Sequence, residues 1–524
     1  MDLLEIELNV GFFLQPQDLA CCVRVCKGWY QAFTPSLYCA ITTTEDPSMM
    51  IMPTVSVLRK HARHIRQLRV HLSGPYLTML RSHCTNLKRL DVVIRHMDKT
   101  SPDGVLALIR ANPRIASMKV AGNLTLMPTL MMRGLSKISH NITGLRLSEL
   151  GLTSESLERL LDTAEQLQVL ELDITFHELQ NPDWERWPSF PHLKHLVLSV
   201  TGSELNLANQ LMWIQRCPNL EALRWNIGST VMGSRSSVSS AKERRLPTKA
   251  ICDVFKQKKL PKLHSLDLQI MNISHTDADV EAILNACPPL KKFRAATCSI
   301  HYSGFRALER HFGTLEDLDV AGCDEFSSPM VQKVLSSCPR LKRLRANVLA
   351  ACDVVSGFGA DEVRAFVAAK DRKIAEKTPG GIPNGKPLPP PAAAAAPPKP
   401  WVCKGLETLI VCITGADAPM WNEQVLAQIG KMSQLRELEV GVHPGCWEQV
   451  LSQKDNRGLD LRLKRGLRYL NSLPFLEKLT YYKIPQRMTS MDVRFMARTW
   501  PHLCEITWTL HTDEAKAAEL RPSF

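Results

Sequence analysis

The chain has 524 residues, 65 basic against 52 acidic side chains, a formal charge of +13 and a mean hydropathy of −0.12. No stretch approaches the roughly 18 uninterrupted apolar residues of a membrane helix. The 44% hydrophobic and 22% charged fractions exclude wholesale disorder, and 16 cysteines are too sparse for a disulfide scaffold. Asp2, Glu5 and Glu7 stand where a secretory signal would carry positive charge. The expectation is therefore reduced thiols in a cytoplasmic or nuclear protein.

The first 45 residues differ from everything after them. Leu4, Leu8, Phe12, then Leu19, Cys22, Val23, Cys26, Trp29 and Phe33 follow a helical period. Gln15-Pro16 and Thr34-Pro35 interrupt it, so two or three short helices are expected. A module that small buries too little surface to be secure alone and must lean on its neighbour or on a partner.

The run Asp18-Leu19-x-x-Cys22-x-x-Val25-Cys26-Lys27-x-Trp29, followed by Leu37-Tyr38, resembles the C-terminal half of an F-box. Leu3, Glu5, Ile6, Leu8, Val10, Gly11, Phe13 and Leu14 resemble its opening half, although the family's opening Leu-Pro stands here as Leu3-Leu4. The resemblance implies that residues 1–45 dock the small adaptor subunit of an SCF-type ubiquitin ligase, and through it a cullin. Leu3, Ile6, Leu14, Leu19, Val25, Cys26 and Trp29 are the implied contact residues. Without the resemblance, the same segment reads as a helical cap on the array that follows.

From residue 46 onward one template recurs: a polar or Pro-containing turn, then Leu-x-x-Leu-x-apolar. Fifteen copies are keyed by Ile65, Leu87, Ile115, Ile142, Leu167, Leu193, Leu220, Leu263, Leu290, Leu315, Leu341, Leu406, Leu435, Leu476 and Leu503. Eleven of the fourteen spacings lie between 22 and 29 residues, and helical patterns such as 154–166 and 328–338 fill the gaps. Strand, turn and helix in under about 30 residues form a unit that buries its apolar face only against stacked copies of itself. Eight prolines, including Pro113, Pro218 and Pro339, fall two residues before a keying position, where they end the preceding helix.

The pattern resembles leucine-rich repeats of the cysteine-containing type. Cys84, Cys217, Cys287, Cys338 and Cys403 precede the key by three residues, and Cys298 and Cys323 follow it by eight. Small buried thiols at tight turns explain them better than a metal or catalytic role. The expected fold is thus an α/β leucine-rich-repeat solenoid, a horseshoe with parallel strands on the concave face and helices on the convex face, preceded by a small all-α module. Insertions are expected at 226–249 (Ser-rich, then basic), 376–400 (Pro/Ala-rich) and 442–465.

In each copy the residues between the leucines face outward on the strands. The strip so defined includes Arg69, Arg89, Arg146, Arg224, Lys292, Arg294, Asp317, Asp319, Arg343 and Arg345, the candidate protein-binding face. Its centre alternates in sign between neighbouring strands, so a self-neutralised, solvated ladder is an equal reading. Residues 55–120 hold 13 Lys/Arg against three acids, which suits an acidic or phosphorylated partner segment. Without interleaved aromatics or a known motif, the block argues against nucleic acid. No phosphate loop, dinucleotide fingerprint, zinc-site spacing or nucleophile elbow is present, so no catalytic residue, metal or cofactor is assigned. The combined reading is a substrate-recruiting ligase adaptor and not an enzyme; the alternative is a repeat scaffold unconnected to ubiquitin.

Overall fold

The structure is a computed structural model. It describes residues 6, 9–11, 13–42, 55–71, 80, 83–93, 101–122, 134–135, 138, 140–152, 159–160, 162, 165–176, 189–201, 207–227, 248–256, 259–270, 275–296, 298–323, 325–355, 400–416, 419–441, 459–482 and 488–507. The bodies of the insertions at 226–249 and 376–400 lie outside the described residues. The chain divides into two compact units, Met1–Leu263 with Ile270–Ile273, and His264–Gln269 with Ser274–Phe524.

The first unit opens with helices α1 (Pro16–Cys22) and α2 (Lys27–Leu37), then strand β1 (Ala40–Thr42). Helix α3 (Val55–His61) leads to β2 (Gln67–His71) and β3 (Arg89–Val93), and α4 (Ser101–Ala111) to β4 (Ser117–Ala121). Strands β5 (Gly144–Leu152), β6 (Val169–Phe176) and β7 (His195–Thr201) follow, then α5 (Leu207–Gln215), β8 (Ala222–Ile227) and α6 (Thr248–Phe255).

The second unit alternates β9 (Ser265–Ile270), α7 (Asp277–Ala286), β10 (Lys292–Ala296), α8 (Tyr302–Glu309), β11 (Asp317–Asp319) and α9 (Ser328–Ser337). It continues with β12 (Arg343–Ala350), α10 (Ala351–Val355), β13 (Thr408–Thr414), α11 (Pro419–Ile429) and β14 (Glu437–Gly441). Two 3₁₀ turns then precede β15 (Lys478–Tyr482), α12 (Ser490–Thr499) and β16 (Glu505–Thr507).

In both units the strands are parallel and follow chain order, the arrangement of an α/β leucine-rich-repeat solenoid. The reason is local. Each keying residue turns inward, and the strand pairing starts two residues later: Gln67 opposite Arg89, Lys292 opposite Asp317, Glu437 opposite Lys478. Fourteen of the fifteen keying side chains are at most 1% exposed; Leu503, just before the last described strand, is half-buried. The seven in-register cysteines are buried among them. Cys323 Sγ lies 2.9 Å from the Ala295 carbonyl of the preceding strand, so thiols also tie repeats together.

Three boundaries differ from the sequence reading. Strand β1 is a sixteenth rung, built from residues 40–42 of the N-terminal module and paired in parallel with β2. Helix α2 continues through Pro35 to Leu37, because the proline falls in the last turn, where Thr34 Oγ1 bonds the Tyr30 carbonyl and Tyr38 N still reaches Thr34 O. Within 442–465 the chain is back on the core by Leu459 and Leu461. There Asn422 grips the backbone of Asp460 at both N and O (2.7 and 2.9 Å) and Leu463 N bonds Asp492.

Candidate functional site

The N-terminal module has a small core of Leu19, Ala32 and Phe33, with Leu14, Cys22, Val23 and Leu37 packed against it. Pro16 starts α1, as its missing N–H permits. Cys26 caps α2, its sulfur accepting from the Trp29 amide at 3.4 Å, and this cap sets the first turn of the helix. Trp29 then meets Phe33 edge-on at 5.6 Å. Among the described residues, six other large apolar or aromatic side chains of the module are exposed. Phe13 is 87% exposed, Val25 63%, Ile6 45%, Val10 43%, Trp29 38% and Tyr30 37%. On a monomeric surface, adjacent exposed apolar side chains mark an interaction patch more often than scattered single ones do.

The residues singled out from sequence therefore divide. Ile6, Val25, Cys26 and Trp29 are at the surface, and Leu3 lies outside the described residues. Leu19 is core, and the half-buried Leu14 packs on it: helical period locates an apolar position without saying which side of a small module it fills.

Among the described residues the module is tied to the repeats by a strand pairing and by ring contacts, including Lys60 Nζ over the Tyr30 ring at 5.7 Å. Arg66 N and Gln67 N both donate to Cys39 O at 2.9 Å as β1 joins β2. The Tyr38 ring stacks on His61 with centroids 4.1 Å apart. Burial lowers the His61 pKa, and Lys60, His64 and Arg63 add to the effect, so the stack holds a neutral imidazole.

On the strand face of the first unit, Arg89 forms a bidentate pair with Asp91 on its own strand (2.9 and 3.2 Å). Arg146 crosses to Glu171 at 3.1 Å. Arg69 is exposed beside Asp91 in register, and Arg224 sits outward on β8. The surrounding basic block keeps Arg59, Lys60, Arg63, Arg66, Lys88, Arg110 and Arg114 exposed.

In the second unit the alternating ladder exists as bonds. Arg294 and Arg343, one strand to either side, converge on Asp317 Oδ2 at 3.4 and 3.1 Å. Arg345 approaches Asp319 at 3.9 Å. The two carboxylates are recessed and the guanidiniums lie above them, so the outer surface is basic. Burial raises the Asp319 pKa against the pull of Arg345. Further along, Lys478 bridges Glu437 (3.3 Å) and Glu505 (3.2 Å). Glu439 and Thr480, paired in register on β14 and β15, are 6% and 0% exposed, and Glu439 Oε1 and Thr480 Oγ1 have no hydrogen-bond partner. Burial pushes the Glu439 carboxyl up, with Arg345 opposing it. The outward position predicts Glu439 on this face; nothing in sequence predicts that its Oε1 finds no donor.

Among the described residues no three His, Cys, Asp or Glu side chains form a metal-holding group, and no helix is long and apolar enough to cross a membrane.

No family model matches the chain, and no curated protein matches it. Solved structures of similar fold include an internalin from Listeria monocytogenes, at 12% identity, covering 82% of this chain and 89% of that one, TM-score 0.37. The yeast Rad7 and Elc1 complex is similar at 12% identity, covering 67% of this chain and 84% of that one, TM-score 0.41. The TLR13–ssRNA13 complex is similar at 12% identity over 88% and 76%, TM-score 0.34. These likenesses concern the repeat fold alone.

Proposed function

We propose that this protein is a protein-interaction adaptor that recruits substrates to an SCF-type ubiquitin ligase. Residues 1–45 dock the ligase's adaptor subunit and so reach a cullin, and the repeat strands hold the protein to be modified. The observation that carries the reading is the outward apolar set of Ile6, Val10, Phe13, Val25 and Trp29, none of them among the module's described core residues. The contribution to catalysis is proximity: a tethered substrate lysine experiences an effective concentration far above its bulk value. The recruited segment is acidic or phosphorylated, matching the exposed cations of residues 55–120.

The test is co-purification of the full-length protein with the ligase adaptor. Deleting residues 1–45 is a poor control, because it also removes β1 and the Tyr38–His61 stack and exposes the edge of β2. Val25→Glu and Phe13→Glu leave those contacts intact and are the informative variants. A second reading is favoured by the same β1–β2 pairing: the module caps a leucine-rich-repeat scaffold and binds no adaptor. Under that reading neither substitution changes any partner.

A further inference from the structure

The strand face of the second unit is divided by charge. At the outward positions of β10–β12 stand Lys292, Arg294, Arg343 and Arg345 against Asp317 and Asp319. At those of β14–β16 stand Glu437, Glu439 and Glu505 against Lys478. Between them β13 presents Thr408 and Ile410, which carry no charge. Asp267 on β9 lies beside Arg294 in register, and even with it the basic side keeps a cation in surplus.

We propose that this face binds a bipolar peptide, an extended segment whose acidic group lies over β10–β12 and whose basic group lies over β14–β16. The inference rests on reading the strand face as the partner surface and does not depend on the N-terminal module.

On the basic side the carboxylates act as anchors. Asp317 fixes Arg294 and Arg343 from beneath, each through one nitrogen contact, and the remaining guanidinium N–H groups stay available. Two planar cations held by one buried acid are pre-oriented for carboxylates of a partner, so little rotamer freedom is lost on binding. On the acidic side Lys478 is already shared between Glu437 and Glu505. Glu439 is left without a hydrogen bond at Oε1, next to a Thr480 hydroxyl in the same condition. A buried acceptor without a donor is unfavourable. A lysine or arginine head from a partner meets the Glu437 and Glu505 carboxylates at the surface, where Lys478 alone answers both.

The spacing is set by the sheet. From β11 to β15 is four strand steps, about 19 Å at roughly 4.8 Å each, a distance an extended peptide covers in about six residues. A segment of uniform charge meets attraction on one half and repulsion on the other.

The experiment uses the full-length protein and a fluorescein-labelled peptide with three Glu at one end, three Lys at the other and a Gly/Ser spacer of about six residues. The control has the same composition with Glu and Lys alternating. The blocked peptide is expected to bind at least about fivefold tighter than the alternating one, the difference worth roughly 1 kcal/mol of paired charge. That gap is expected to shrink at high salt. Arg343→Gln and Glu437→Gln should each narrow it while leaving the far-ultraviolet spectrum unchanged. A gap under about fivefold, or no binding of either peptide below about 1 mM, overturns the proposal. Adaptor capture is scored on the same preparation. Loss of the peptide preference with capture retained removes the bipolar site alone, and the converse removes the ligase reading alone.

Discussion

Asp277, the first residue of α7, caps the helix of the next repeat: its Oδ1 accepts from the Gly304 amide of α8 at 2.9 Å. The same oxygen accepts from His301 N at 2.8 Å, and Oδ2 accepts from Ser303 N at 2.8 Å. A Cβ at Gly304 would stand 2.6 Å from Oδ1, so glycine is what allows the carboxylate so close. One carboxylate thereby satisfies three of the four orphan amides that a helix start leaves open.

Asp277→Ala is expected to lower stability by about 1–2 kcal/mol, as loss of a helix cap does. Gly304→Ala should cost a similar amount by displacing the carboxylate, and the double variant should fall short of the sum, since both remove one arrangement. Burial alone would raise the Asp277 carboxyl, but the hydrogen bonds from Ser303, His301 and Gly304 outweigh it and hold it below its ordinary value of 3.8. The stabilisation is therefore complete above pH 3.8 and is lost as pH falls through the lowered native value. Denaturant titrations at neutral and acid pH read both effects.

His311 gives the opposite chemistry at the same kind of joint. It is buried, its Nδ1 accepts from the Leu290 amide at 3.1 Å, and its Nε2 lies 3.2 Å from Leu284 O, so the neutral ring with the proton on Nε2 fits both. Burial lowers its pKa below 6.5, with Arg310 adding and the Leu284 carbonyl opposing. The native state thus binds fewer protons than the unfolded chain once pH drops under 6.5. The contribution is full above that pH and declines as pH falls toward the native value. The melting temperature should fall between about pH 7.5 and 5.5, and His311→Asn should flatten that slope, leaving the share due to His61 and His64. Identical slopes in the two proteins would refute the assignment.

Gly430 follows α11 and stands against the backbone of the 3₁₀ turn Leu467–Ser472 in the next repeat. A Cβ there would meet Tyr469 O at 2.1 Å, and a main-chain atom cannot swing aside. Gly430→Ala is expected to destabilise the second unit by about 1–3 kcal/mol through overpacking, measured as a shift in its unfolding midpoint. Gly313→Ala, where the added Cβ meets nothing within 4 Å, is the matched control with no such shift.

The cysteines should separate by position in native-state alkylation read by peptide mass. Burial pushes Cys84 up to about 11 and Cys403 up to about 12, and raises Cys217 and Cys338 as well. These four should stay unmodified in the folded protein, while the exposed Cys21, Cys26, Cys352 and Cys504 react. Early labelling of Cys217 or Cys338 would contradict their place in the repeat core.

The strand register was legible in the sequence because a repeat specifies it again and again: a key such as Leu290 must turn inward, and its strand then pairs two residues on. The salt-bridge ladder was legible too, since the alternation of Lys292/Arg294, Asp317/Asp319 and Arg343/Arg345 follows from that register. Strand β1 was not, because Ala40–Thr42 has only Ile41 to mark it and owes its pairing to the exposed edge of β2. Nor were the polar joints. Asn112 takes the position that elsewhere holds cysteine, yet it accepts from Leu87 N and donates to Cys84 O and Leu108 O. A residue type alone does not say that it will satisfy backbone groups 25 and 28 positions back. In the module, periodicity found the apolar positions, and only packing separated Leu19, which is core, from Val25, which is surface.

The most direct measurement is the affinity of the purified full-length protein for the ligase adaptor subunit, beside Val25→Glu and Phe13→Glu variants of unchanged melting temperature. Stoichiometric binding by the parent chain, weakened at least about tenfold by each substitution, is the expected result for exposed anchors of an interface. A well-folded parent chain that fails to bind the adaptor, or variants that bind as tightly as the parent, would contradict the ligase-adaptor reading and leave a capped leucine-rich-repeat scaffold in its place.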